Sequence, residues 1–542
     1  MIWIDRRQLI ATSAFGLGGL MLPGGALFAQ MLSAARGFTH NVASGEPASD
    51  SVLLWTRFVG GGDSAHVRVE VSETPDFARI VSGGEMITGP WRDWTTKITV
   101  DGLSPGRIYY YRFVGQDSSR SPVGRTRTLP VGHVRHFGIG VFSCANLPAG
   151  EFNAYGHAAA RDDIDVMLHL GDYLYENRRV GNTLAASPRW DRIQPQTKLL
   201  SLADYRLRYA SYRMESALQA LHNRHAMILS MDDHELADDA WEGGAVDHLL
   251  EDGDWTMRKL AAAQAYREWL PVDDMPYKSY DIGTLATLFR TDTRLLARSK
   301  YPSSATLLAS PDAPAALAAF KAGAWRDPAA TMMGTTQESW LAHGLWASTA
   351  ARKRWQVVGV GTIVGETFMP AEAASWLSPD ASASAKRYVP AGVALANAGL
   401  SFNFDNWGGY PAARARLLGA AQRADANLVV LSGDSHNAWA YELRNGDARV
   451  GVEFAGHAVC SNGFEVPTKG TDPNVIAAAM LRASPELKWC DTSKRGYMVL
   501  GLTDAMATNE WIFMETVAMP SLATQPSHRM RVHAGDRTLE TI

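Results

Sequence analysis

The stretch MLHLGDYLYE, Met167 to Glu176, decides the fold of this chain. A short, mostly apolar run reaches a Gly-Asp pair, and acidic and phenolic groups follow at once. Two further stretches share this order: MILSMDDHELADD (Met227 to Asp239) and LVVLSGDSHNAW (Leu428 to Trp439). An apolar run bounded by Gly or Asp reads as a buried parallel strand. In open α/β sheets the ligand site lies outside the carboxyl ends of such strands. If the three strands are neighbours in one sheet, Asp172, Tyr175, Asp232, Asp233, His234, Asp434 and His436 converge. Carboxylates crowded against a phenol and imidazoles need neutralising, and a bound metal cluster is the economical means.

Each motif offers its own chemistry. Asp172 and Tyr175 are three residues apart, so one helical turn would put both on the same side. A phenolate ligand needs a strongly acidic metal to bring its pKa down from about 10, which favours ferric iron. In Asp232-Asp233-His234-Glu235 a carboxylate can bind metal while His234 faces the substrate as general acid. The competing explanation is an acidic helix N-terminus with a surface histidine. The preceding strand-like MILSM weighs against it. Asp434 and His436, at alternate positions, offer two ligands from one strand end. Cys144 closes the strand-like FGIGVFSC. A lone cysteine there is usually a buried small hydrophobe; in the same sheet, its thiolate beside a phenolate favours iron over magnesium or calcium. Cys460 and Cys490 lack such company and read as structural.

Outward from these strands, Phe38 to Pro130 is β-rich, with Gly- and Pro-containing turns, and reads as a small antiparallel sandwich. After Pro130 strands alternate with helices. Helical patterns fall at Phe152–Arg161, Leu202–Leu221, Trp255–Leu270 and Ala412–Arg423, and further strands at Leu285–Arg294, Arg354–Val364 and Gly496–Thr503. Ala-rich stretches near Ser303–Ala324 and Ala371–Ala394 read as helical insertions or lids. The expected division is a leader over 1–35, a sandwich over 36–130, a catalytic domain over 131–520 and a tail over 521–542.

At 542 residues, 46% hydrophobic and 20% charged, the composition is that of a globular protein. A net charge of −4 carries no polybasic footprint, so nucleic acid is not expected as the main partner. Three cysteines without a CxxC pair exclude a disulfide framework and a zinc knuckle. Arg6-Arg7 before an uncharged Gly- and Ala-rich stretch fits a twin-arginine leader, which carries folded, metal-loaded proteins to the periplasm or beyond. No later segment is apolar enough for a stable membrane span.

SCANLPAGEFNAYGH, DVMLHLGDYLYE, DDHE, DTR, DNWGGYP and GDSHNAW, in that order, resemble the PhoD-type alkaline phosphatase family, as do the leader and FTHNVASGEPASDSVLLWTR. The resemblance covers essentially the whole chain. It implies an α/β (α+β) metallophosphoesterase-like β core flanked by helices, preceded by a small all-β sandwich domain. It also implies exported hydrolysis of small phosphate esters at alkaline pH, with Fe3+ and Ca2+ as cofactors. By motif position Cys144, Asp172 and Tyr175 would be iron-side ligands, with Asp172 bridging to calcium. Asp232, Asp233, Asp434 and His436 would complete the metal set, their division between metals left open, and Asp238 or Asp239 could join calcium. His234 would be the leaving-group acid, and Arg294 and Asn406 would contact phosphate or support the ligands. Two departures bear on the pocket: Ala145 stands where the family commonly has Gln, and GTIVG (Gly361 to Gly365) replaces a more polar turn. A phosphodiesterase or phospholipase D-like hydrolase on the same site is the enzymatic rival. A non-catalytic secreted metal- or phosphate-binding protein is the rival of another class.

Overall fold

The computed structural model describes residues 35–177, 187–300 and 304–542, and the arginine pair on which the expected twin-arginine leader rests lies outside the described residues. The N-terminal strands are β1 (Gly37–Gly45), β2 (Val52–Val59), β3 (Ala65–Ser72), β4 (Ile80–Thr88), β5 (Thr95–Val100), β6 (Ile108–Gly115) and β7 (Gly124–Arg127). Next come β8 (Phe137–Phe142), β9 (Val166–His169), β10 (Ala226–Leu229), β11 (Lys278–Ile282), β12 (Ala286–Arg290), β13 (Trp355–Val360) and β14 (Leu428–Ser432). The last are β15 (Ala438–Asn445), β16 (Ala448–Ala455), β17 (Leu487–Asp491), β18 (Gly496–Leu502), β19 (Met506–Phe513), β20 (His528–His533) and β21 (Glu540–Thr541).

Two large sheets face each other. One has ten strands, ordered β21-β20-β19-β18-β8-β9-β10-β1-β2-β5, and the other seven, ordered β11-β12-β13-β14-β16-β15-β17. β8, β9, β10 and β1 run parallel, as do β12, β13, β14 and β16. Their inner faces share one core that includes Ile139, Val141, Leu168, Ile228, Leu288, Val357, Leu431 and Phe454. Helices Leu202–Arg213, Ser216–Arg224 and Trp255–Trp269 cover the outer face of the first sheet. Gly334–Ala350, Pro411–Arg423 and Pro473–Ala483 cover the second. Burial on both faces is why the motif strands read as apolar runs without alternation.

The architecture corrects one expectation. β9 and β10 are neighbours, but β14 belongs to the opposite sheet. An apolar run buried on both faces looks the same in either sheet, so sequence pattern cannot assign the sheet. The three strand ends still meet, because the carboxyl ends of both parallel sets open on one side.

The N-terminal strands build a sandwich of an unexpected kind. β4-β3-β6-β7 form a four-stranded sheet, but β1, β2 and β5 are the end of the ten-stranded sheet. Val42, Leu54 and Phe58 on one side meet Val67, Val69, Tyr111 and Phe113 on the other. Parallel pairing of Ser44 with Ala226 and of Gly45 with Met227 carries the sheet across residue 130. Just beyond β1, buried Glu46 pairs with Arg290, takes Lys278 at 3.0 Å and accepts the Tyr280 hydroxyl at 2.7 Å. That cluster ties the N-terminal strands to β11 and β12. Tyr280→Phe removes a hydrogen bond to a buried carboxylate and should lower the urea-unfolding free energy by about 2 kcal/mol. An unchanged midpoint would mean that the Glu46 cluster does not join the two parts.

Residues 521–542, expected as a tail, supply β20 and β21 at the edge of the first sheet, with β20 paired to β19. HRMRVH alternates, with Met530 and Val532 buried, which is the half-buried strand pattern. The Leu202–Leu221 pattern is two helices, broken at Met214 and Glu215. Both Ala-rich stretches are helical, at Ala313–Ala322 and Ala383–Asn397. No helix among the described residues is long and apolar enough to cross a membrane.

Candidate metal centre

Three strand ends turn sharply as they release their polar groups. After β8, Cys144 has φ 61°; after β9, Asp172 has φ 55°; after β14, Asp434 and His436 have φ 62° and 60°. A non-glycine residue in the left-handed region costs on the order of 1–3 kcal/mol, and such strain collects at functional sites. Hydrogen bonds hold the turns, among them Ala145 N–H to Asp172 O at 2.9 Å. The buried Glu235 carboxylate is the main clamp, accepting the backbone N–H of Tyr173 at 2.6 Å, Asp232 at 2.8 Å and Asp172 at 3.1 Å. It joins the loops after β9 and β10. Gly171, at φ 110°, has no room for a side chain, since a Cβ would lie 2.3 Å from that of Asp232.

Within this frame the donors gather in overlapping sets. Cys144, Asp172 and His436 each offer an atom within 4.8 Å of the others. So do Asp172, Asp233 and His234; Asp232, Asp233 and Asp434; and Asp233, Asp238 and Asp239. The Tyr175 hydroxyl lies 2.9 Å from Asp172 Oδ2 and 3.1 Å from His436 Nε2, and accepts from Ser461 at 2.9 Å. His436 Nδ1 lies 2.6 Å from the Asn462 carbonyl, so it carries the proton and leaves Nε2 as a lone pair. Two acceptors therefore converge on a phenol with a single proton. Asp233 Oδ1 is buried with no hydrogen-bond partner.

The electrostatics point the same way. Burial, then the charges of Asp172 and Asp434, push the Cys144 thiol well up. Burial, with Asp172 and Cys144, does the same to Tyr175. Burial raises Asp172 well above the carboxylate range, with Asp233, Asp232 and Glu235 adding and His234 opposing. Burial and the neighbouring Asp232 and Asp405 raise Asp434 in the same sense. Asp233 is the exception: burial raises it, but Arg294, His234 and the Asp239 N–H hold it below the usual range. A thiol, a phenol and carboxylates that resist ionising together need added positive charge. The donors and the unsatisfied Asp233 oxygen fit cations, softer at Cys144 and all-oxygen at Asp233, Asp238 and Asp239.

The residues expected from sequence are all brought together, with one change of local structure. Residues 171–177 form no helix; the loop itself sets Tyr175 over Asp172. Arg294 is fully buried, bonded to Asp232 Oδ1 at 2.7 Å and Oδ2 at 3.2 Å and to Asp405 at 2.7 Å. Of the two expected roles, phosphate contact or support of the ligands, the geometry favours support of Asp232, because carboxylates take up the guanidinium. Asn406 lies beside Asp434 and His436 in a cavity wall, with its Oδ1 accepting Gly408 N–H at 2.9 Å.

Sequence reasoning missed the partners behind the ligands. Glu176, fully buried, accepts from His234 Nδ1 at 2.7 Å and from Asp238 N–H at 2.8 Å. The His234 ring lies 4.0 Å from that of Tyr175. Burial works against a charged His234, but Glu176, Asp172 and Asp233 outweigh it and raise its pKa well above the ordinary value. Asp405 accepts from both Arg294 and Arg298, at 2.7 and 2.6 Å. Glu176 and Glu235 stand inside the quoted motifs and Asp405 begins DNWGGYP, so proximity to the ligands was the available signal.

Comparison with known proteins agrees with this geometry. Residues 139–511 match the PhoD-like phosphatase family and residues 26–130 match the PhoD-like phosphatase N-terminal domain. Alkaline phosphatase D of Bacillus subtilis (strain 168) is 30% identical over 523 residues, covering 90% of this chain and 79% of the relative. A solved structure of PhoD superposes with a TM-score of 0.75 at 26% identity, over 94% of this chain and 92% of that one. A purple acid phosphatase from yellow lupin (Lupinus luteus) seeds shares the fold, with a TM-score of 0.53 at 12% identity over 91% of this chain and 74% of its own. Metal ions are implied by the family, and the donor sets above are candidate groups to hold them. The chain belongs to the PhoD-like phosphatase family and is a phosphoric ester hydrolase.

Proposed function

We propose that the chain is an exported alkaline phosphatase that hydrolyses phosphate esters at a mixed iron and calcium centre. The observation that carries this is the convergence of Cys144, Asp172, Tyr175 and His436 beside an all-carboxylate group. The thiolate and phenolate side would hold ferric iron, and Asp233, with Asp238, Asp239 and Asp434, would hold calcium; Asp172 belongs to two of the donor sets. Of the two adjacent aspartates, Asp233 is the ligand and Asp232 is fixed by Arg294. Cations held there supply the Lewis acidity that phosphoryl transfer to water requires.

The remaining work falls to side chains. Glu176 holds the His234 Nδ1–H, keeps the ring against Tyr175 and stabilises its positive form. His234 then passes its Nε2 proton to the departing alkoxide oxygen. Asn406 keeps its amide N–H groups for the phosphoryl oxygens. The leader over 1–35 directs export of the folded chain by the twin-arginine machinery, and 36–130 acts as the N-terminal unit.

A second activity, on phosphodiesters, is favoured by two cavities that reach the centre. One, of about 460 Å³, is lined by Tyr175 and Asp238; another, of about 250 Å³, by Asp434 and His436.

Elemental analysis with a visible spectrum tests the centre. Purified protein should contain iron and calcium and show a phenolate–ferric absorption band, and Tyr175→Phe should lose the band while retaining most of its iron. Full activity in metal-replete protein with neither iron nor the band would sink the iron assignment.

A further inference from the structure

We infer that the smaller cavity beside Asp434 and His436 holds a flat aromatic ring, carried by the ester alcohol that stays on phosphorus during hydrolysis. The inference rests on the hydrolytic function proposed above and adds the substrate class: phosphodiesters with one aryl or nucleoside substituent.

The cavity is continuous with the centre, because Asp434 and His436 form part of its wall. Its apolar wall comes from separate elements: Ile363 after β13, Tyr388 from helix Ala383–Asn397, Phe402, Trp439 at the start of β15, and Phe464. Tyr388 and Phe402 meet edge to face, with ring centroids 6.1 Å apart, at the mouth, where Tyr388 is 42% exposed. Trp439 is locked by its indole N–H to Ser435 Oγ at 2.8 Å. Aromatic rings at such angles receive a further ring by stacking or edge contact. The volume, about 250 Å³, exceeds the ~150 Å³ that suffices for benzene and accommodates a single or fused ring.

Polar groups narrow the choice. Among the described residues no lysine, arginine or glutamate lines the cavity, so a second phosphate or other anion has no counter-charge there. Asn403 and Asn406 spend their side-chain oxygens on Asp405 N–H and Gly408 N–H. With the Asn406 amide N–H groups turned to the phosphoryl oxygens, those of Asn403 remain to meet ring oxygens or nitrogens. A hydrophobic slot with a few amide donors suits a planar ring better than a sugar or an alkyl chain.

Position decides which alcohol enters. His234 itself lines neither cavity, but both its neighbours, Asp238 with a carboxylate oxygen 3.6 Å from His234 Nε2 and Tyr175 with its ring 4.0 Å from the imidazole, line the larger one and not this one. The departing alcohol must lie next to the His234 proton, so the group beside Asp434 is the one retained. In the balanced step a water oxygen bonds to phosphorus and the bond to the other alcohol breaks. That alcohol leaves with a proton from His234, which the proton released by the water replaces, and the aryl or nucleoside monoester remains.

Four esters sharing one leaving group test this in the metal-replete enzyme: p-nitrophenyl phosphate and its methyl, phenyl and thymidine 5′ diesters. The phenyl or thymidine diester should exceed the methyl diester in kcat/KM by about 5- to 100-fold, the range that base or ring stacking supplies. A larger gain for phenyl points to aryl esters, and a larger gain for thymidine to nucleotides. Tyr388→Ala and Phe464→Ala, both at partly exposed positions, should each cut the ring-to-methyl ratio by at least about fivefold. A methyl diester that matches the ring-bearing ones, or a ratio untouched in both variants, overturns the assignment. If no ester turns over, the hydrolytic function fails separately. Calorimetry then decides the cavity's ligand, with phenyl phosphate expected to bind more tightly than methyl phosphate and equal affinities overturning the proposal.

Discussion

Asp172→Ala should reduce kcat/KM for p-nitrophenyl phosphate by roughly a thousandfold and lower the metal content of the purified protein. Asp172 belongs to two of the donor sets and accepts from Tyr175, so its loss weakens both sides of the centre at once. Removing the side chain also relieves like-charge crowding with Asp232 and Asp233, so the variant should fold. Circular dichroism and a urea midpoint at or above that of the parent would establish this. Near-parental hydrolysis with metal retained would remove Asp172 from the centre.

Glu235→Ala should cost about 4 kcal/mol of unfolding free energy, measured by urea denaturation, because three buried backbone N–H groups lose their acceptor. The loops after β9 and β10 would then be free to part, and activity should fall even in protein that remains folded. Glu235→Gln keeps one oxygen but turns an amide towards a donor, so it should lie between parent and alanine variant in both measurements. An alanine variant as stable as the parent would mean that water replaces the carboxylate and the clamp is dispensable.

The strands and the helices on their outer faces were legible because double burial writes apolar runs and amphipathic spacing directly into the chain. Membership of a sheet was not: nothing in LVVLSGDSH distinguishes β14 from a neighbour of β10. The candidate ligand types were legible for a similar reason, since Asp172, Asp233, Asp434 and His436 follow strand ends. The residues that hold them were harder to see. Glu176 lies one position beyond Tyr175 and Glu235 one beyond His234, yet apart from the Asp232 N–H their targets are 58 to 63 residues away in sequence. Such pairings become visible only once β9 and β10 lie side by side. Arg294 stayed open between phosphate contact and support of the ligands because an arginine near a phosphatase site suits either, and only its burial against Asp232 and Asp405 shows where its charge is used.

The order of strands in the ten-stranded sheet has a consequence for how the chain is made. β8 sits between β9 and β18, and its bonds to β18 reach residues 498–502. At about 5–20 residues per second of synthesis, one edge of β8 waits on the order of tens of seconds for its partner. An unpaired strand edge is a template for the wrong chain, so the nascent protein needs shielding during that interval. Cys144 lies two residues past the end of β8 and His436 is made late, so the donors of the candidate centre are together only after most of the chain has been synthesised.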